Sequence, residues 1–472
     1  MVHHIPHSTR DASETPRECD DVFSKIDRRT FTAGLAGAAF AALARVPADA
    51  AATAPGYGPL RADPTGLLDL PDGFHYKVIS RFGDRMDDGF TVGDRADGMG
   101  CIPLGRRRVA LVRNHELQAR HHGDGPFART DAARVPAYDR DTAGRPLPGG
   151  TSTIVYDLAS GKVERQYLSL AGTIRNCAGG TTPWGSWLSC EEDVTRAGAG
   201  VARDHGWVFE VPARHRGLVD PVPLKAMGRF NHEAAAVDPR TGIVYLTEDR
   251  EDGLLYRFLP DHRGQLARGG RLQALGLRDR PEGGDTSNKL GSDVTPGAWK
   301  AACWIDLDGV EAPDDDLRLR GYKAGAARFA RGEGIHWGIG EGYFCCTSGG
   351  AAGLGQVMRY RPSPREGQPG EVDAPGMLQL FVESTDPAMF NFGDNLTVGP
   401  NGHLIVCEDQ YTDVVDNHLR GVTPDGRLYP VGRCRLQTEL AGACFSPDGS
   451  TLFVNLYSPA TTLAISGPWR RL

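Results

Sequence analysis

Four turns of one composition constrain what this chain can fold into. Asp238-Pro239-Arg240-Thr241-Gly242, Gly399-Pro400-Asn401-Gly402, Thr423-Pro424-Asp425-Gly426 and Ser446-Pro447-Asp448-Gly449 each precede a short strand-like run: Ile243 to Thr247, His403 to Cys407, Arg427 to Val431 and Thr451 to Asn455. Proline presets the first turn angle and glycine supplies the positive one, so each unit reads as a hairpin turn. The clearest helical pattern, Ala324 to Arg331, is one or two turns long. The 61 glycines and 32 prolines are scattered rather than periodic, as many short strands require. Imperfect repeats of this kind predict an all-β chain, a β-propeller of four-stranded blades around a channel; a β-sandwich or β-helix would share the turns. Six blades are expected, in one domain spanning 51–472.

A second repeat favours the propeller. The run Trp184 to Leu188 ends on Cys190, Glu191, Glu192 and Asp193, and the same grammar recurs in Tyr245-Leu246-Thr247-Glu248-Asp249 and Ile405-Val406-Cys407-Glu408-Asp409. A core strand gains nothing from ending on paired acids, because a buried carboxylate must be protonated or met by a cation. Solvated strand ends are the plain reading of one such pair. Three of them suit a propeller, whose inner strands deliver their ends to a shared mouth. A soft thiolate beside hard carboxylates suits a transition metal, with the remaining carboxylates left for calcium or magnesium.

Net charge is −7, which offers no basic surface for nucleic acid. The N-terminus reads as a targeting segment, residues 1–50. Asp27-Arg28-Arg29-Thr30-Phe31-Thr32 precedes the apolar run Ala33 to Ala44, and Ala48-Asp49-Ala50 offers a small-x-small cleavage site. This resembles a twin-arginine export signal, although Asp27 replaces the usual hydroxyl residue. An amphipathic first helix would instead need regularly spaced polar residues. The expectation is export through the twin-arginine machinery to the periplasm or medium, as a monomer with no membrane span in its mature form. Of the ten cysteines, Cys19 leaves with the signal and the rest show no disulfide framework and no zinc-type Cys-x-x-Cys. Cys303, Cys345, Cys346, Cys407 and Cys444 sit in apolar runs and read as core. Two long polar segments, His121 to Gly150 and Arg278 to Gly297, are candidates to cap the mouth.

Other chemistry-bearing clusters lie at strand entrances or ends. Arg229-Phe230-Asn231-His232-Glu233 precedes a small-residue run and lacks the second histidine of a zinc protease motif. Arg113-Asn114-His115-Glu116 closes the apolar run Val109 to Val112, and Asp394-Asn395 precedes Leu396-Thr397-Val398. Arg331 and Glu333, two apart, share a face if extended; they form either a salt bridge or a guanidinium fork for phosphate beside a metal carboxylate. No Gly-x-Ser-x-Gly elbow, phosphate-cradling loop ending in Lys-Ser or Lys-Thr, or dinucleotide fingerprint is present. Any chemistry is therefore metal-borne.

From about Leu70 to the C-terminus the chain resembles the PhoX family of secreted alkaline phosphatases. The resemblance is carried by Asn176 to Glu192, His232-Glu233-Ala234, Arg331-Gly332-Glu333-Gly334, Asp394-Asn395-Leu396-Thr397-Val398 and Phe445-Ser446-Pro447-Asp448-Gly449, with Asp97-Gly98-Met99 and Leu111 to Leu117. It implies a six-bladed propeller with an Fe(3+) and Ca(2+) cluster that hydrolyses phosphate monoesters. By motif position Cys190 is implied as the iron thiolate, Glu233 and Glu333 as metal carboxylates, and Arg331 as the phosphate-binding arginine. The acid-pair argument adds Glu191, Glu192, Glu248, Asp249, Asp394, Glu408 and Asp409 as metal ligands, undivided between the two ions. The chain is shorter than the best-characterised members and places Gly332 between Arg331 and Glu333. A calcium-dependent propeller lactonase and a non-catalytic calcium-binding propeller are the alternatives.

Overall fold

The computed structural model describes residues 55–472 apart from 131, 199, 292 and 411, so the expected export signal lies outside the described residues. The four turns are formed as expected: Gly242, Gly402, Gly426 and Gly449 all have positive φ, and each is followed by a strand. The described chain is almost wholly β. The α-helix present is Leu317–Lys323, ahead of the expected Ala324 to Arg331; Gly325, at φ 104°, turns the chain, and Arg328–Phe329 is extended.

Six strands form the inner wall: Ala96–Pro103, Asn176–Thr181, His232–Val237, Gly332–Trp337, Gly393–Val398 and Leu440–Phe445. Each contacts the next in this order, and the last contacts the first, so the ring is closed. Every inner strand pairs antiparallel with the strand that follows it: Arg108–His115, Ser186–Glu191, Val244–Glu248, Gly342–Cys346, Leu404–Glu408 and Thr451–Leu456. The outermost strand of the last sheet is His75–Arg81, from the other end of the chain, which staples the ring shut.

The architecture is propeller-like, but hydrogen bonding does not cut it into six separate four-stranded sheets. The sheets have four, three, ten, six and four strands. Trp299–Asp306 pairs with Gly270–Leu277 on one side and Met377–Glu383 on the other, fusing two four-strand units into one. Apolar side chains fill the spaces between neighbouring sheets, as in the cluster of Leu188, Val208, Phe230, Leu246 and Tyr256.

Both long segments are anchored by polar contacts. Asp139 of the first accepts from the amides of Ala202 and Arg203 and pairs with His205. In the second, Lys289 pairs with Glu251 and donates to Ser348, beside the ends of the second strands.

Candidate metal centre at the channel mouth

One irregularity, repeated six times, builds the site. In each inner strand three residues span the distance that two span on its partner, as where His232 faces Glu248 but Ala235 faces Leu246. The same bulge falls at Ala96/Met99, Asn176/Gly179, Gly332/Ile335, Gly393/Leu396 and Ala441/Cys444. A bulged residue escapes the alternation of the strand and can be re-aimed. The residues so placed are Asp97, Cys177, Glu233, Glu333, Asp394 and, in the sixth strand, Gly442.

Immediately after each comes a small or slim residue, Gly98, Ala178, Ala234, Gly334, Asn395 or Ala443, and at the two glycines a side chain would not fit. A Cβ on Gly98 would lie 2.4 Å from the Cα of Ala178, and one on Gly334 would lie 2.7 Å from the Cα of Asn395. The inner strands pinch together here and give the mouth a floor. Beyond it a cavity of about 390 Å³ continues along the inner wall, lined by residues such as Gly100, Gly180, Trp187, Ala236 and Cys444, with no acid among its lining.

The acid pairs divide their labour. The first member of each ends its strand and binds protein. Glu191 accepts from the amides of Ile174, Gly206 and Trp207 and pairs with His205 at 2.7 Å. Glu248 accepts from Leu254 N–H and Tyr256 O–H. Glu408 accepts from the amides of Asn391 and His418 and from Arg420. The second member belongs to the mouth. Glu192 and Asp409 join the converging ligand groups, as does Glu116, which ends the second strand of the first sheet in the same way. Asp249 meets them through Arg331 and Glu192. Of the predicted residues, therefore, Glu192, Glu233, Asp249, Glu333, Asp394 and Asp409 come together, whereas Glu191, Glu248 and Glu408 serve the surrounding loops.

Cys190 also requires correction. Its strand is regular at that point, facing Val208, and the side chain is fully buried in the apolar cluster with Leu188 and Phe230, where burial alone raises its pKa. The thiol at the mouth is Cys177, which occupies a bulge and donates to Asp97 Oδ2 at 3.2 Å.

Among the described residues, four groups of potential ligands form a chain: Asp97, Glu116 and Cys177; Cys177, Glu192 and Glu233; Glu233, Glu333 and Asp394; Asp394, Asp409 and Glu439. Within each, the ligand atoms lie within 4.8 Å of one another, and successive groups share a residue. Burial, followed by the charge of neighbouring acids, raises Asp97, Glu192, Glu233, Glu333 and Glu439, and it pushes Asp394 up to about 7. Cys177 is raised for the same reasons.

Among the described residues, the guanidiniums of Arg331 and Arg175 reach these acids. Arg331 donates from Nε and Nη2 to Asp249, at 2.7 and 2.9 Å, and from Nη2 to Glu333 at 2.9 Å. Arg175 pairs with Glu116 at 2.8 Å and with Glu192 at 2.9 Å. They do not balance the carboxyl groups of Asp97, Glu116, Glu192, Glu233, Asp249, Glu333, Asp394, Asp409 and Glu439. Glu233 is the sharpest case: it is fully buried, and neither carboxylate oxygen has a hydrogen-bond partner. A buried carboxylate left so is costly unless a cation meets it. Carboxylate oxygens with one thiol form a donor set that fits metal ions.

Cys177, Asp97, Glu116, Glu439 and Arg175 were not among the predicted site residues. A signal for the first existed in the bulge pattern, an acid or thiol followed by a small or slim residue: Asp97-Gly98, Cys177-Ala178, Glu233-Ala234, Glu333-Gly334, Asp394-Asn395.

The family model described as alkaline phosphatase PhoX matches residues 55–155 and 155–460. The fold is similar to that of PhoX from Pseudomonas fluorescens, solved in complex with vanadate, a transition state analogue. The two are 18% identical over 85% of this chain and 96% of that one, with a TM-score of 0.63. A gluconolactonase of Xanthomonas campestris is more remotely similar, 13% identical over 88% of this chain and 99% of that one, with a TM-score of 0.40. No curated protein matches.

Proposed function

This chain belongs to the alkaline phosphatase PhoX family and is a phosphomonoester hydrolase, and from that premise we propose how its own residues carry the reaction. The observation that supports the reading best is the buried, unpartnered carboxylate of Glu233 between groups of further acids and a thiol. The family is metal-dependent. We assign Fe(3+) to the groups that contain Cys177, because a thiolate is a soft donor, and Ca(2+) to the carboxylate-only groups around Asp394. When bound, such ions neutralise phosphate charge and acidify water. A carboxylate-only site would have suited a calcium-dependent lactonase, whereas Cys177 in the cluster favours the phosphatase with iron.

Arg331 is the residue proposed to bind the phosphoryl oxygens. Asp249 and Glu333 hold its guanidinium at the mouth, so its donors are oriented before substrate arrives, and charge that develops on the non-bridging oxygens meets fixed partners. The floor formed by the pinched inner strands keeps substrate on the solvent side of the acids. The closed ring of six bulged inner strands supports a count of six blades, and the family match, beginning at residue 55, agrees with a separate signal segment over residues 1–50. Members of the family are secreted, and export by the twin-arginine route is the proposal for this chain. No helix among the described residues is long and apolar enough to cross a membrane.

Turnover of p-nitrophenyl phosphate by protein loaded with iron and calcium, with elemental analysis of the same sample, tests the reading. Hydrolysis that tracks metal content is expected; absence of turnover in a sample holding both ions would overturn it.

A further inference from the structure

Arg175 and Arg331 occupy equivalent places. Each stands immediately before an inner strand, each has a left-handed backbone, with φ of 48° and 53°, and each accepts at its carbonyl from the residue just past the second strand, Glu192 N–H or Thr347 N–H. Arginine does not favour positive φ, so the strain must be held by the surrounding structure. Arg95 and Phe392 share the position and the conformation, at 52° and 54°. Arg95, however, turns its guanidinium to Asp124 and Asp94. Arg175 and Arg331 instead enter the acid cluster.

Their acids meet. Glu192, which holds Arg175, lies within 4.8 Å of Glu233, and Glu333, which holds Arg331, lies within 4.8 Å of the same Glu233. The arrangement is an arc that runs Glu116, Arg175, Glu192, Glu233, Glu333, Arg331, Asp249. Within it the arginine side chains are 30% and 26% exposed, against 4% for Glu192 and Glu333 and 12% for Glu116 and Asp249. The guanidiniums are therefore the members of the arc that front solvent, on either side of Glu192, Glu233 and Glu333.

We propose that Arg175 is a second substrate-contacting residue, closing with Arg331 a cradle of two guanidiniums around the phosphoryl group. This rests on the phosphatase reading and on Arg331 as a phosphate ligand. A phosphate monoester presents several non-bridging oxygens, and a planar fork on each side holds them with geometric as well as electrostatic preference.

Calorimetric titration of the metal-loaded protein with inorganic phosphate tests the cradle without relying on turnover. Arg175→Gln should weaken phosphate binding about 10- to 100-fold, the worth of a charge-assisted hydrogen-bonding group, with metal content unchanged. Arg175→Lys should recover part of the loss, because it keeps the charge without the fork, and it also serves if the glutamine variant does not fold. Arg95→Gln should bind phosphate as the wild type does. Unchanged affinity in both Arg175 variants would overturn the proposal. So would a loss of affinity that runs in step with loss of metal, because Arg175 would then only hold Glu116 and Glu192 in place. Wild-type protein that binds phosphate but hydrolyses no monoester would overturn the phosphatase reading instead.

Discussion

Two of the buried charged clusters among the described residues make a contrast: one closes its own hydrogen bonds and the other does not. Between the strands of the fused ten-stranded sheet, Arg257 donates to Gln273 and Glu366 and bidentately to Glu371, and it stacks 4.3 Å from the Trp304 ring centroid. Glu366 in turn accepts from Tyr245, Tyr360 and the Ser363 amide. At the mouth, Glu233 is as deeply buried and its oxygens accept nothing. Burial alone therefore does not mark function. A cluster that closes its own hydrogen bonds holds sheets together, whereas one that leaves acids unmet is built for something that arrives from outside.

The largest effect should come from taking the cations away. Chelation should abolish hydrolysis and lower the melting temperature, and the drop should be greater at pH 8 than at pH 5. The sign follows from the raised acids. In metal-free protein Asp394, pushed up to about 7 by burial and Asp409, favours the folded state while protonated. That stability is present below its unfolded pKa near 3.8 and is lost as pH rises through about 7. Equal melting at both pH values would mean that the acids do not repel one another.

Paired substitutions then separate the clusters. Glu233→Gln should reduce turnover at least about 100-fold through lost metal, with a fold as stable as that of the metal-free wild type. Glu366→Gln should keep its metal and cost about 3 kcal/mol in denaturant unfolding, because Arg257 loses a buried partner. Metal loss in the second variant, or its absence in the first, would erase the distinction drawn between them.

The thiols provide a smaller and sharper comparison. Cys177→Ser should lose iron and any thiolate-to-iron absorption. Cys190→Ser should hold its metal and lose roughly 1 to 3 kcal/mol of stability, because a hydroxyl is placed among Leu188, Val208 and Phe230. Iron retained by Cys177→Ser and lost by Cys190→Ser would restore the assignment that motif position implied.

The amino-acid sequence by itself determined the β character, the positions of the turns, the convergence of acids on one mouth and the family. Those properties follow from local chemistry: proline and glycine set turn angles where they stand, and recurrent acids after apolar runs are visible without a fold. Which acid of each pair faces the mouth was decided only by the tertiary structure. Glu191 and Glu192 are adjacent and alike in type, yet one caps the amides of Gly206 and Trp207 and the other joins Cys177 and Glu233. The choice of Cys177 over Cys190 has the same origin. A bulge is a mismatch between two strands, so it exists only once Asn176 is paired with Glu191 and Gly179 with Ser189, and that single inserted residue turns a thiol from the strand's regular alternation into the site.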